Sequence, residues 1–385
     1  MTGTHAPLAP SDAHRWGPEG CPGSPAMQRK YPEDDSPEAL EGTAAHWVAL
    51  DMLLATGRMP NLGELAPNGH PVTLEMQQGA TLIVDDIRGT VSAATPGLAV
   101  RIEERVDAYE TIHHDNHGTP DAFMVDRPRR TLFVWDYKFG HRVVDPYRNW
   151  QLINYAAAIL ESEGLAYGGM ADWMFVFTVC QPRSYHPDGP LREWQCLGAE
   201  IIPLINQLRT AAYAASAPDA PCRTGSHCRD CLAEWDCRAN QIVGGASIDV
   251  AYAQQSTGMS PAALGLEARM IATAQDRLKA RKDALDARIL GLIRTGQTVP
   301  HWDKGFTRPL RRWKDGMRAA AASVGDMFGV ELRKPDLGGI VTPNEAVKLG
   351  IDDSVITEYA ETPPGSLKLV ARDDRDAARV FGTRD

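Results

Sequence analysis

The segment Thr131-Leu-Phe-Val-Trp-Asp-Tyr-Lys138 constrains the fold of this chain more than any other stretch. Its β-branched and aromatic residues predict a strand. Alternation along that strand puts Asp136 and Lys138 on one face and Tyr137 on the other. Upstream, Ala122-Phe-Met-Val-Asp126 reads as a second strand, and Arg127-Pro128-Arg129-Arg130 as the turn between them. The resulting hairpin brings Asp121 beside Asp136. Downstream, Asp145-Pro146 predicts a helix start, with Asp as N-cap and Pro at the first position. Gln151 and Tyr155, four apart, then share one face of that helix.

Two carboxylates and a lysine in this arrangement suit metal-assisted cleavage of a phosphodiester. Mg²⁺ is held by one or two protein carboxylates and keeps positions for water and a phosphate oxygen. The bound ion polarises the phosphorus centre and lowers the pKa of an attacking water. A lone D-x-K on a strand is more often a solvated face. Pro120-Asp121 before it and the Gln/Tyr pair after it are what turn it into a site. A further helix is predicted upstream: Ser36 as N-cap, Pro37 at the first position, Glu38 in the first turn, and apolar residues through Leu54. It carries Glu41-Gly-Thr-Ala-Ala-His46, where His46 taken alone reads as a packed or surface histidine.

Of seven cysteines, four fall close together: Cys222, Cys228, Cys231 and Cys237. The residues between them are polar and Arg-rich, unlike the setting of cysteines packed in a core. No signal peptide or long apolar run is visible, which predicts a cytoplasmic chain, no membrane association, and reduced thiols. Clustered thiolates in a reducing compartment read as a metal site. Cys222 would complete a local four-cysteine zinc knot. Cys21, in Trp16-Gly-Pro-Glu-Gly-Cys-Pro-Gly23, is the alternative fourth ligand. Cys180 and Cys196 read as ordinary packing cysteines.

The net charge of −10 argues against a broad basic nucleic-acid surface. It leaves room for a local basic channel beside acidic ligands. Arg127, Arg129 and Arg130, and later Arg308, Arg311, Arg312 and Lys314, are the local basic clusters; each reads first as a solvated turn. Trp150, Trp302 and Trp313 could stack on bases, with core packing the plainer use. His113-His-Asp-Asn-His117 reads as a polar hairpin loop.

At 385 residues, two or three domains are expected. The division predicted is an irregular segment 1–35 carrying Cys21, a core 36–240 ending in the cysteine cluster, a linker and long amphipathic helix 241–300, and a small α+β region 301–385. Helices are expected at about 37–56, 71–94, 146–162 and 197–216, and strands at about 99–110, 121–126, 131–138 and 171–180. Leu264, Ile271, Leu278, Leu285 and Leu292 recur every seven residues on one long helix, ended by Gly296 and Pro300. A strand near 302–313, two short helices and an extended 366–371 follow. Helices flanking a mixed central sheet make the core α/β.

The order Pro120-Asp121, Asp136-Tyr-Lys138, Gln151-x-x-x-Tyr155 resembles the PD-(D/E)xK nuclease superfamily, specifically its RecB-like branch. Gly42-x-x-x-His46 matches the histidine element of that branch. Cys21-Pro-Gly-Ser24, Glu41–His46, Asp136-Tyr-Lys-Phe-Gly140 and His227-Cys-Arg-Asp-Cys231 resemble phage-encoded RecB-like nucleases in the same order, firmly over 16–240. The resemblance implies a restriction-endonuclease-like core and a Mg²⁺- or Mn²⁺-dependent deoxyribonuclease, an exonuclease of phage-type recombination, replication or repair. It implies His46, Asp121, Asp136 and the Tyr137 carbonyl as metal ligands. Lys138 would activate water, and Gln151 and Tyr155 would support the metal face or the DNA backbone. It also implies a [4Fe-4S] staple held by Cys21, Cys228, Cys231 and Cys237, with Cys222 spare and structural zinc the alternative. DNA and a single-strand annealing protein are the implied partners. An inactive DNA-end-binding or assembly module is the other function class left open.

Overall fold

In a computed structural model the described residues are 6–31, 36–252, 260–314, 317–333, 340–365 and 367–371. They form two compact units, Met1–Arg281 and Lys282–Asp385. The division falls inside the long helix.

The first unit opens with short helical turns, Pro10–Asp12, Ala13–Trp16 and Ser24–Gln28. This segment is less irregular than expected, because Leu8 and Trp16 are fully buried and the Trp16 indole N–H donates to the Ala9 carbonyl at 3.0 Å. Helix α1, Pro37–His46, begins where the N-cap reading put it: Ser36 Oγ accepts from Ala39 N at 3.1 Å. It runs on as a π-helical stretch, Trp47–Leu54, whose Val48, Ala49 and Leu50 are buried. Helix α2 spans Leu74–Ala93 and buries Met76, Ala80, Ile83, Val84 and Ile87 along one stripe.

The expected strand at 99–110 is two short pieces, β1 (Arg101–Ile102) and β2 (Val106–Asp107). Glu103 breaks it with φ +46, a left-handed conformation that no β-strand tolerates. Strand β3, His117–Gly118, pairs with β2, and β4 (Ala122–Asp126) with β5 (Thr131–Tyr137) in the predicted hairpin. Helix α3, Trp150–Ser162, starts later than the sequence suggests. Asn149 caps it by accepting from Gln151 N at 3.0 Å, whereas Asp145 only closes a turn onto Tyr147 N at 2.8 Å.

Strands β6 (Met174–Cys180) and β7 (Leu191–Leu197) complete a sheet of order β1-β4-β5-β6-β7, and β7 has no counterpart in the sequence expectation. Only β5–β6 is parallel, with α3 as the crossover. Helix α4, Gly198–Ala215, covers the α3 face of the sheet. Thus the core is α/β, with a mixed five-stranded sheet between helices. Leu132 and Val134 of β5 pack toward α3 and α4, while Trp135 and Tyr137 pack toward α1 and α2. Asp136 therefore emerges on the α3 face and Tyr137 on the α1 face. Gly79 of α2 makes room for Tyr137: a Cβ there would lie 2.4 Å from the phenolic oxygen.

Helix α5 (Arg238–Tyr252) follows the cysteine loop, and α6 (Pro261–Arg294) is the predicted long helix. In the second unit β8 (Trp302–Phe306) pairs with β11 (Leu367–Ala371), and β9 (Arg312–Trp313) with β10 (Ala360–Glu361). Between them lie α7 (Arg318–Met327), α8 (Pro343–Lys348) and α9 (Asp353–Tyr359), so three helices stand where two were expected. Their own small core centres on Trp313, Leu332 and Ile356.

Candidate active site and cysteine cavity

The hairpin register pairs Ala122 with Trp135, which sets Asp121 opposite Asp136 at the end of the sheet. Asp121 Oδ2 accepts the Tyr137 main-chain N–H at 2.6 Å, and Asp121 Oδ1 lies 3.4 Å from His46 Nδ1. The His46 ring sits 5.4 Å from the Tyr137 ring. Lys138 Nζ pairs with Asp136 Oδ1 at 2.9 Å. Gln151 spans that pair: its Nε2 donates to Asp136 Oδ1 at 3.0 Å, and its Oε1 accepts from Lys138 Nζ at 3.3 Å. Tyr155, one turn on, donates to the Thr119 carbonyl at 3.1 Å and so fixes the strand entrance before Asp121. Asp121, Asp136, Lys138, Gln151 and Tyr155, with His46, lie at one end of the sheet, while Arg127, Arg129 and Arg130 lie at the turn at the other.

The electrostatics split the two carboxyls. Burial raises the cost of ionising Asp136, and repulsion from Asp121 adds to it, so its pKa is raised even beside Lys138. Burial opposes charge on Asp121 as well, but His46 and Lys138 outweigh it and hold that carboxyl below the usual range. The same burial works against charge on His46 and Lys138, and the carboxylates overcome it, raising both. Asp136 Oδ2 is buried with no hydrogen-bond partner. A stranded carboxylate oxygen of this kind, beside a second carboxylate and an imidazole, is a donor set that fits Mg²⁺ or Mn²⁺.

Two residues at this end escape the sequence reading. Glu103 N–H donates to the Asp121 carbonyl at 3.1 Å. Burial, reinforced by the neighbouring Asp51, pushes the Glu103 carboxyl up. Its left-handed backbone is the one signal, invisible without coordinates. Gln181 is the other: its Nε2 donates to the Gly140 carbonyl at 2.9 Å, and its Oε1 accepts from Val144 N at 3.0 Å and Arg192 Nη2 at 2.8 Å. It pins the loop that follows Lys138. Glu41, of the Glu-Gly-Thr-Ala-Ala-His element, pairs with Arg183 at 2.6 Å, whose guanidinium lies over the Phe139 ring. That ties α1 to the same loop.

The cysteines meet elsewhere. Cys21, Cys222, Cys228, Cys231 and Cys237 all line one small enclosed cavity of about 20 Å³. Cys21 Sγ accepts from Arg223 N at 3.2 Å, and Cys228 Sγ from Gly225 N at 3.3 Å. Although burial opposes it, the buried His227 holds the Cys21 thiol below its ordinary pKa. Cys222 is pushed up to about 12 by burial and by Cys21 and Cys237, so it stands among the others and not apart from them. Gly23 is required here, since a Cβ would meet Cys222 Sγ at 2.6 Å. Cys180 and Cys196 are buried in β6 and β7.

Among the described residues, the group whose donor atoms all lie within 4.8 Å of one another is His113, His114 and Asp115. There the Asp115 N–H already occupies His113 Nδ1 at 3.2 Å, and Asn116 donates to the Leu8 carbonyl at 2.7 Å. This loop does join the β2–β3 hairpin, but His113 and Asn116 are buried, and Asn116 with the Asp115 carbonyl holds Leu8 of the N-terminal segment. The basic clusters are consumed within the fold: Arg127 pairs with Glu163, Arg130 with Asp172, Arg311 with Asp353 and Arg312 with Glu361. Trp313 is a core residue donating to the Val341 carbonyl.

The fold and site define an α/β protein with a half-buried histidine–carboxylate–lysine constellation, built around the buried Asp136, at one sheet end and a thiol-lined cavity elsewhere in the same unit. Residues 5–377 match the family model described as a protein of unknown function (DUF2800), and the chain belongs to that family. Among the described residues, no helix is long and apolar enough to cross a membrane.

Proposed function

We propose that this protein is a Mg²⁺- or Mn²⁺-dependent deoxyribonuclease of the PD-(D/E)xK type, with a restriction-endonuclease-like core. The observation that carries the reading is the unpartnered Asp136 Oδ2, buried beside Asp121 while Lys138 and Gln151 occupy the other Asp136 oxygen. A buried carboxylate oxygen without a partner calls for an explanation, and beside a second carboxylate and an imidazole a bound cation is one that fits. Asp121, Asp136, His46 and the Tyr137 carbonyl would hold the metal, which when bound polarises the scissile phosphate and acidifies water. Lys138 neutralises charge gathering on the phosphate and orients the attacking water. Gln151 holds Lys138 and Asp136 in register, and Tyr155 fixes the Thr119–Asp121 approach.

The five-thiol cavity supports a second proposal within the same reading. Tetrahedral zinc with Zn–S near 2.3 Å draws its thiolates to about 3.8 Å apart. Among the described residues no three of these thiols lie within 4.8 Å of one another. An all-cysteine set with main-chain N–H donors on the Cys21 and Cys228 sulfurs suits an iron–sulfur cluster, for which the cavity of about 20 Å³ would have to widen. Cys21, Cys228, Cys231 and Cys237 are the proposed ligands. The cluster would tie the start of the chain to the end of the nuclease core. An exonuclease working in phage-type recombination or repair, inside the cytoplasm and beside a strand-annealing protein, is the setting that the sequence resemblance suggests.

The test is degradation of end-labelled linear DNA with Mg²⁺ or Mn²⁺, using labels at either end to read polarity. The expected result is cleavage that disappears in Lys138→Ala. DNA bound without cleavage under any metal would replace this reading with that of an end-binding module.

A further inference from the structure

We propose that the cleft between Trp150 and Arg229 carries one single strand of DNA leading to or from the catalytic carboxylates. The inference rests on the nuclease reading and names how that site receives its substrate. The cleft has a volume of about 530 Å³, within the range of genuine ligand sites. One wall comes from residues that flank the catalytic apparatus in the chain. Arg142 stands on the loop that Gln181 pins after Lys138. Trp150 is the first residue of α3, next to Gln151, which holds both Asp136 and Lys138. The facing wall is the cysteine loop with Arg229, and α6 with Arg277. The cleft therefore runs from residues adjoining Lys138 and Gln151 in the chain to the thiol-bearing loop.

Its chemistry fits a strand better than a duplex. Arg142, Arg229 and Arg277 line it beside Glu19 and Asp276, which places guanidinium groups on both walls in a chain of net charge −10. Arg277 is fixed by donating to the Gly225 carbonyl, and Arg229 is exposed. Trp150 is half-buried and packs against the α3–α4 core, so its ring is held while part of it faces the cleft. Guanidinium groups that follow a phosphate backbone beside a fixed aromatic platform are the parts of a sequence-tolerant single-strand groove. A base can stack on Trp150 only when unpaired, which favours a single strand over an intact duplex in the cleft. Such a groove also reconciles the acidic chain with a polyanionic substrate, because the field is concentrated where the strand passes.

The experiment uses the full chain carrying Lys138→Ala, in EDTA, titrated into a fluorescein-labelled single-stranded oligonucleotide and its duplex, with anisotropy read across a salt series. Single strand should bind more tightly than duplex. Arg229→Ala should flatten the dependence of log K on log salt by about 0.7, the loss of one phosphate contact to a single strand. Trp150→Leu, which keeps an apolar side chain in the core, should weaken binding about fivefold or more without changing that slope. Arg209→Ala, exposed on α4 and outside the cleft, should change neither. If both cleft variants bind as the parent does while the unmutated protein still degrades DNA, the strand path is overturned and the nuclease reading stands. If the unmutated protein neither binds nor cleaves DNA, both fall together.

Discussion

Asp121 Oδ2 takes the main-chain N–H of Tyr137 at 2.6 Å, across the end of the β4–β5 hairpin. This bond does two things. It uses one oxygen of Asp121 to lock the strand end, and it turns the other toward His46. Asp136, on the same strand as Tyr137, is thereby held at a set distance from a second negative charge. The strand end stores unfavourable electrostatics that a divalent cation would relieve.

Asp136→Asn follows from that strain. Burial and Asp121 raise the Asp136 pKa, so its folded environment suits the charged form worse than water does. Without metal, the Asn variant should unfold in urea at or above the wild-type midpoint. Mn²⁺ should raise the Tm of the wild type and not of the variant. A variant that is less stable than wild type in EDTA would count against a site built for a cation.

Asp126 makes the opposite case. It is fully buried, and its carboxylate accepts from Thr95 N at 2.9 Å, Thr95 Oγ1 at 2.7 Å and Arg129 N at 3.1 Å. Burial opposes its charge, but these donors prevail and hold the pKa below the ordinary value. A depressed carboxyl stabilises the fold above its unfolded pKa of about 3.9, and the contribution fades as pH falls through the lower folded value. Asp126→Ala should cost about 2–4 kcal/mol at neutral pH. The gap between variant and wild type should close only below about pH 4, read by chemical denaturation across a pH series.

Glu103 should matter to metal binding although nothing in the sequence marks it. Its main chain supports Asp121 and its carboxyl is raised by burial and by Asp51. Glu103→Gln keeps the shape and removes the charge. It should weaken apparent Mn²⁺ affinity about tenfold, measured by calorimetry, as loss of a supporting group around a metal site does. Unchanged affinity would restrict Glu103 to its backbone role.

The contrast between Asp121 and Glu103 shows what a sequence makes legible here. The hairpin register, the Ser36 cap and the shared face of Asp136 and Lys138 follow from local rules of alternation and capping, whereas the approach of His46 and Gln151 to them is implied only by the resemblance to RecB-like nucleases. The start of α3 does not, because the loop before it is shaped by Gln181 and Arg192, side chains far along the chain. Strand β7 is hidden although its Leu191–Leu197 run is strand-like, because the preceding Pro- and Gly-rich turn gives no register. Glu103 depends on a left-handed backbone that only the folded chain displays. Local pattern places the two carboxylates and the lysine at the strand end; long-range hydrogen bonds set the loops around them.

The thiol cavity gives a prediction separable from catalysis. Protein purified without air should be brown, and Cys21→Ser and Cys231→Ser should lose the colour and the bound iron together. They should also fold in lower yield, since a link between distant parts of the chain restricts the unfolded state most. Cys222→Ser should keep both iron and colour if Cys222 lies beside the ligand set and not within it. Zinc in place of iron, lost on Cys222→Ser, would overturn the cluster in favour of a local knot.

Gly79 and Tyr137 supply a test of packing at the site's rear wall. The Tyr137 hydroxyl is buried without a hydrogen-bond partner, and a Cβ on Gly79 would lie 2.4 Å from it. Gly79→Ala should destabilise by about 1–3 kcal/mol through overpacking. Tyr137→Phe removes the atom in the way and leaves the main-chain N–H that Asp121 needs. In the Tyr137→Phe background, adding Gly79→Ala should therefore cost at least about 1 kcal/mol less than it does alone, a coupling that a double-mutant cycle measures directly. Equal costs in the two backgrounds would show that the helix, and not the hydroxyl, requires the glycine.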